Sequence, residues 1–471
     1  MTRRPVLGAL GGGAALLGVR AHADERIALE GVWTGALEVG SQRLRLKLEI
    51  AADGVGTLRS LDQGDTAMPV RVLSSTPARV VIEAPAVGGR FEGSAQVNGR
   101  LEGVWRQGGP ALALVLLRGE AGLTASAPVA PLEATRLRAL RVEAGSPALA
   151  AALARRGAAA RFWSDGEREA GSGVPVTDGD HWHVGSITKS MTATLVARLV
   201  EAGAVRWEDT VGEVLSGTAV GMRAEYRAVT FRHLLSHRSG LPGNLPLLDL
   251  LQFSRVSADP RQERQTYVRK ALAMAPNGAP GAAFEYSNNG YVVAGAMLEH
   301  KLGQPWEALM RTHVFTPLGM TSAGFGAPGA RGRIDQPAGH SKAIFGDRRK
   351  SHPPGAELTD NPAVIGPAGT AHASCADMLR YLDAHRDGAA ILRPENWRVL
   401  HTPPFGGDYA MGWIVRPDGS LWHNGSNTLW YAEACFDTAA GASAFAAAND
   451  GHLAVSQIAV GKALQAALAA G

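Results

Sequence analysis

The chain is 471 residues long, too long for one ordinary domain, and 45% apolar with 19% charged residues, which excludes a wholly disordered or fibrous protein. A formal net charge of only +4 excludes the strongly basic surface that nucleic-acid binding requires. The 58 glycines are scattered without the period of a collagen-like repeat.

Residues 1–23 read as an export signal. Arg3 and Arg4 form a positive start, Pro5 to Val19 a short, Gly-rich and mildly apolar stretch, and Ala21-His22-Ala23 a small-residue cleavage point. The Arg3-Arg4 pair and the weak apolarity resemble a twin-arginine signal. This segment holds three arginines and no acid, so its removal takes the formal net charge from +4 to +1. A periplasmic or secreted protein is expected, and no later stretch is apolar enough to span a bilayer.

Residues 24–118 read as a small all-β barrel or sandwich. Leu44 to Ile50 alternates apolar and polar residues, Val80-Val81-Ile82 and Leu112 to Leu117 are strand-like, and Asn98-Gly99 between Phe91–Val97 and Leu101–Trp105 signals a hairpin. Glu30-Gly31-Val32-Trp33 recurs as Glu102-Gly103-Val104-Trp105, and its tryptophans suit the two ends of a small barrel. No titratable cluster marks this part as catalytic. Residues 119–134, small and Pro-containing, read as a linker.

From 135 to 471 the pattern is α+β. Leu137 to Arg155 and Ser186 to Ala202 read as helices, Ala158 to Trp163 as a strand, and Leu429 to Asp437 and Ala442 to Ala448 as adjacent strands. His452 to Ala470 closes the chain as an Ala-rich helix, and 207–330 reads as helix and loop. Sheet segments bracketing a helical middle predict an antiparallel sheet flanked by helices with an inserted helical lobe. Cys375 and Cys435 read as small buried residues, or as a pair if they meet. No Cys/His cluster implies a metal or a cofactor.

Three short motifs carry chemistry. Ser186-Ile187-Thr188-Lys189 is the only S-x-x-K in the chain, and it opens an amphipathic helix. A serine needs a neighbouring base to become a nucleophile, and a buried lysine loses its proton readily enough to be that base. The helix start also offers free N–H groups to a developing oxyanion. Tyr286-Ser287-Asn288 is the only Y-x-N; tyrosine relays a proton and the asparagine amide both donates and accepts. His423-Asn424-Gly425-Ser426 precedes a C-terminal strand, and its glycine lets a substrate backbone approach. Taken singly, each also reads as structure: a helix cap, a turn with a packed tyrosine, a strand edge.

Together and in this order the motifs resemble the serine β-lactamase and D-alanyl-D-alanine carboxypeptidase superfamily, nearest its class C branch. Val229 to Leu241, Val314 to Met320 and Pro367-Ala368-Gly369-Thr370 extend the resemblance over residues 140–471. It implies Ser186 as nucleophile, Lys189 as its base and Tyr286 as proton relay. Asn288 would hold the acyl-side amide, His423 would stand where many relatives have lysine, and the N–H groups of Ser186 and Ser426, beside Gly425, would form the oxyanion hole. His237 matches a position expected to stabilise a loop. Asn424 stands where relatives that bind β-lactams have a hydroxyl residue, and with His423 it argues against strong β-lactamase activity. The substrates implied are small esters, amides or peptides, cell-wall fragments among them. The alternatives are a β-lactamase or carboxypeptidase proper, or a penicillin-binding sensor with little turnover. The G-x-S-x-G elbow of α/β-hydrolases is absent.

Overall fold

Alternating side chains close the N-terminal strands on themselves. The computed structural model describes residues 26–470 except 40–41, 62–66, 97–98, 108–110, 121–128, 254–256, 344–347 and 357–358. The export signal expected at 1–23, the turn residues Val97 and Asn98, and 121–128 of the expected linker lie outside the described residues.

Eight strands, β1 (Gly31–Val39), β2 (Gln42–Ile50), β3 (Val55–Ser60), β4 (Met68–Thr76), β5 (Arg79–Ala84), β6 (Gly89–Ala95), β7 (Leu101–Arg106) and β8 (Leu112–Arg118), each pair antiparallel with the next. Pairing of β8 with β1 then closes a barrel, which leaves no open edge. Leu46, Leu48 and Ile50 of the alternating strand point inward with Phe91, Leu114 and Leu116. Trp33 is level with Arg118 and Trp105 with Leu112, so the two buried indoles sit at opposite ends of β8. The barrel is therefore filled by its own side chains.

Past the barrel, Leu132 is fully buried and donates its N–H to the Ala466 carbonyl at 2.8 Å. Helix α1 (Ala134–Ala144) ends at Gly145, whose φ of 62° makes the left-handed cap that glycine accepts without strain. Strand β9 (Ala148–Arg155) follows. The single helix expected from Leu137 to Arg155 is thus two elements, broken by Gly145-Ser146-Pro147. Alanine favours helix in isolation, but Ala-Leu-Ala-Ala-Ala-Leu-Ala lies in mid-sheet, buried on both faces, and packing overrides propensity. Leu149, Ala151 and Leu153 face one core, and Ala150, Ala152 and Ala154 the other.

The main sheet continues with β10 (Arg161–Gly166), a few residues later than the strand expected at Ala158 to Trp163, and with β11 (Ile414–Val415), β12 (Leu421–Ser426), β13 (Tyr431–Asp437) and β14 (Ala442–Ala448). All pairings are antiparallel, in the order β10-β9-β14-β13-β12-β11. His423-Asn424-Gly425 precedes the expected strand, now β13, and itself lies inside a further strand, β12. Asn and Gly are depleted in strands, which hid this one from the sequence.

One sheet face packs on α1 and on α6 (Leu453–Leu468). The other meets the helical layer that the chain builds between β10 and β11: α2 (Thr188–Glu201), α3 (Pro260–Ala273), α4 (Asn288–Leu302) and α5 (Cys375–Asp387). Cys375 and Cys435 are separate, buried free thiols.

Candidate active site

Two glycines bring the Ser186 turn onto the sheet. Ser186 sits in a 3-10 turn, Gly185–Ile187, that runs directly into α2. Gly185 has φ 51°, and a Cβ there would lie 2.3 Å from Ser426 N. A Cβ on Gly425 would lie 2.1 Å from Val184 O and 2.5 Å from Ser186 N. Only glycine at both positions lets the turn rest on β12, so Gly425 acts through backbone approach. Beneath it, the Gly185 N–H donates to His183 Nδ1 at 3.1 Å, so the His183 proton is on Nε2, which donates to Asp360 at 3.1 Å. The second oxygen of Asp360 accepts from Asn427 Nδ2 at 2.9 Å and ties the turn to the β12–β13 connection.

Lys189, one turn after Ser186, is fully buried. Its Nζ lies 2.9 Å from Ser186 Oγ, 2.7 Å from Asn288 Oδ1 and 2.8 Å from the Ala368 carbonyl. All three partners are uncharged, and burial pushes the ammonium well below its ordinary value of 10.5. A neutral amine has two N–H bonds and one lone pair. With the N–H bonds directed at Asn288 and Ala368, the lone pair falls on the Ser186 hydroxyl, which is the arrangement of a base. Ala368 belongs to the Pro367-Ala368-Gly369-Thr370 signature, and Pro367 O accepts from Thr192 Oγ1 of α2 at 2.7 Å.

The Tyr286-Ser287-Asn288 motif forms the entrance to α4, where Ser287 Oγ caps the helix by accepting from Gly290 N at 3.1 Å. Burial raises the Tyr286 phenol above its ordinary value, offset in part by the Ser186 hydroxyl, although part of the ring remains exposed at the opening. Lysine lowered and tyrosine raised divide the roles: the amine is free to accept a proton and the phenol keeps one to give. Lys189 Nζ lies 4.7 Å from the Tyr286 ring centroid.

His237 holds that motif in place. Its Nδ1 accepts from Ser287 N at 3.0 Å, its carbonyl accepts from Glu285 N at 2.8 Å, and its ring packs 4.3 Å from that of Tyr286. It does so with φ 58°, a left-handed conformation rare for a residue with a side chain.

The His423 position differs from the expectation. It is buried, with Nε2 3.1 Å from Tyr409 Oη and Nδ1 2.5 Å from the Asn424 carbonyl, and it does not line the cavity beside Ser186. Desolvation, aided by Lys189, pushes its imidazole down to about 3, so it is neutral and carries no charge for a substrate carboxylate. Asn424 is on the reverse face of the sheet, its Nδ2 donating to Tyr431 Oη at 3.1 Å and Tyr431 donating on to Glu433 at 3.0 Å. Strand alternation sends neighbours to opposite faces, so the residue between His423 and Gly425 turns its amide away from the site. Ser426 does line the cavity.

That cavity holds about 390 Å³. Leu247, Leu250 and Leu251 form one wall and Ile365 and Pro362 another, and among the described residues no charged side chain lines it. Asn244, which the motif reading missed, accepts from Asn288 Nδ2 at 2.8 Å. It lies just beyond the Val229 to Leu241 signature, and a lone loop asparagine carries no periodicity to mark it. No described residues form a cluster of three or more His, Cys, Asp or Glu able to hold a metal ion. No helix among the described residues is long and apolar enough to cross a membrane.

The sequence model of the family described as Beta-lactamase matches residues 134–469. The chain is 32% identical over 269 residues to Penicillin-binding protein 4 of Amycolatopsis lactamdurans, covering 56% of this chain and 65% of that protein. It is 29% identical to Esterase EstB of Burkholderia gladioli, covering 48% of this chain and 62% of the relative. The chain therefore spans less than two thirds of the length of these curated relatives. Among solved structures, D-amino acid amidase from Ochrobactrum anthropi superposes with a TM-score of 0.57 at 22% identity, covering 71% of this chain and 97% of that one. At that identity the likeness shows the shared fold.

Proposed function

The chain belongs to the beta-lactamase family, and we propose that it is a serine hydrolase of the acyl-transferring type that cleaves small uncharged esters or amides through an acyl-enzyme on Ser186. The observation that carries this reading is the 2.9 Å contact between Ser186 Oγ and a fully buried Lys189 with uncharged partners. As Oγ bonds to the substrate carbonyl carbon, Lys189 Nζ takes its proton. The N–H groups of Ser186 and Ser426 meet the charge that develops on the carbonyl oxygen. The bond to the leaving group then breaks, and that group departs with the Tyr286 hydroxyl proton, which Lys189 restores. Water repeats the sequence on the ester of Ser186 and frees the acid.

Tyr286 is not among the residues lining the cavity, so a leaving group that faces it lies at the opening and the acyl half enters the cavity. The apolar walls and the lack of a cation there support an uncharged, apolar acyl group. Cell-wall fragments belong to the same reading, since a relative 32% identical over 269 residues is named a penicillin-binding protein. Residues 1–23 are read as an export signal, with the mature protein periplasmic or secreted; N-terminal sequencing of the mature chain tests that part.

The test of the whole is a panel of nitrophenyl esters, a D-alanyl dipeptide, D-amino acid amides and a chromogenic cephalosporin, with mass spectrometry of the trapped protein. An acyl adduct on Ser186 with turnover of esters or amides is expected. A penicillin adduct that forms and never turns over, with no ester or amide hydrolysis, would make the protein a sensor instead.

A further inference from the structure

His237 and His423 come from opposite sides of the site, and a tyrosine outside every sequence motif joins them. Tyr409 is buried, and its Oη lies 3.2 Å from His237 Nε2 and 3.1 Å from His423 Nε2. The two ends of this chain fix its direction. The Ser287 N–H can only donate, so His237 Nδ1 accepts and the His237 proton sits on Nε2, pointing at Tyr409. The Asn424 carbonyl can only accept, so the His423 proton sits on Nδ1, and Nε2 offers its lone pair to the Tyr409 O–H. The chain runs from the backbone of the Tyr286 motif to the backbone of β12, and Tyr291, whose own hydroxyl donates to the Leu235 carbonyl, offers Tyr409 a second acceptor beside it.

This arrangement bears on Lys189. His423 can gain a second proton only at Nε2, and the Tyr409 hydrogen occupies that position. A protonated His423 would set a cation next to the amine that must take up the Ser186 proton, and like charges oppose that uptake. The titratable groups that face the chain are Lys189 of α2, Tyr286 just ahead of α4, Tyr291 in its first turn, and the two histidines themselves, so among the described residues no carboxylate is there to balance such a charge.

We propose that Tyr409 is a positioning residue whose hydroxyl locks His237 and His423 into single neutral tautomers, tying the Tyr286 loop to the Gly425 strand and keeping a second cation away from Lys189. The proposal rests on the acyl-enzyme reading above and adds to it a residue that touches neither substrate nor nucleophile.

Tyr409→Phe keeps the ring, which packs 4.7 Å from His237 and 5.4 Å from Phe284, and removes only the hydroxyl. On a nitrophenyl ester, kcat is expected to fall by about tenfold to a hundredfold, as for a small misplacement of catalytic groups, with KM changed less than about threefold. The acid limb of the kcat/KM profile is expected to move up by about one pH unit, because His423 Nε2 is open to a proton. Adding His423→Gln, which cannot titrate, should return the limb to its original position. An unmoved limb in Tyr409→Phe, or an equal shift in the double variant, overturns the proposal. Nitrogen NMR of the histidines in the unmodified protein is a reading that needs no variant: His423 should be protonated on Nδ1 alone from pH 8 to about 5. A signal from the opposite tautomer overturns the proposal equally. Fluorophosphonate labelling of Ser186 in the unmodified protein keeps the two questions apart. If labelling fails, the acyl-enzyme reading falls; if labelling succeeds and the limb does not move, only the role of Tyr409 falls.

Discussion

Asn288 Oδ1 lies 2.7 Å from Lys189 Nζ while Asn288 Nδ2 donates to Asn244 at 2.8 Å, so a single amide steers the lysine without lending it a charge. That neutrality is what an isosteric change tests. Asn288→Asp sets a carboxylate at the same place, holds Lys189 as an ammonium and deprives Ser186 of its base. The acid limb of kcat/KM is expected to rise by about two pH units, with activity at pH 7 lowered about a hundredfold. An unshifted limb would show that Lys189 is not the group that titrates.

Ser186→Ala is expected to lower turnover by on the order of a thousandfold or more and to abolish the covalent adduct, with the thermal midpoint nearly unchanged. Mass spectrometry after exposure to a fluorophosphonate reads the adduct directly. Retention of a tenth of the activity would remove Ser186 from the role of nucleophile.

Asn424 faces the back of the sheet, so its identity should not set the substrate preference. Short-chain ester hydrolysis is expected to exceed cephalosporin hydrolysis by at least about tenfold in kcat/KM, for want of a cation to meet the carboxylate. Asn424→Thr should leave that ratio within about twofold, since the side chain does not reach the cavity, and should cost about 1 kcal/mol of stability through the lost bond to Tyr431. A large rise in cephalosporin hydrolysis in this variant would put Asn424 back in the site.

Among the described residues, none of the barrel lines the cavity beside Ser186. A chain begun at about residue 129, ahead of the buried Leu132 and its bond to Ala466, is expected to fold and to label at Ser186 at a rate within about threefold of the whole protein. A start at 135 removes that contact and should be less stable. A soluble, folded 129–471 chain that does not label would give the barrel a part in the chemistry.

Burial holds His372 and His401 down at about 4, from an ordinary value of 6.5. Between those values the unfolded chain binds the protons that the folded one refuses, so stability rises with pH there. It should be fully present above pH 6.5 and decline as the pH falls toward 4, by on the order of 3 kcal/mol for each imidazole. Urea midpoints taken from pH 8 to 4 measure this, and a flat series would mean that these rings accept protons in place.

The readable parts of this protein are those that depend on neighbours within a turn or a strand. Ser186 and Lys189 meet because a spacing of three brings two side chains to one side of a helical turn, and Tyr286 stands close by because its motif caps α4. The barrel strands alternate visibly because one face of each is filled with apolar side chains. Nothing local distinguishes the alanine run of β9 from a helix; only its place in mid-sheet, with a core on each face, makes it a strand. The same holds for Tyr409, Asn244, the Ala368 carbonyl and the His183–Asp360 pair, whose partners lie 14 to 179 residues away. It holds too for the direction of His423 and Asn424, since the pleat of β12 decides which of two neighbours faces the lysine. Hydrogen bonds across such separations are chosen by packing, so the nucleophile and its base can be read from a tetrapeptide, while the groups that keep the lysine neutral exist only once the sheet and the helical layer have met.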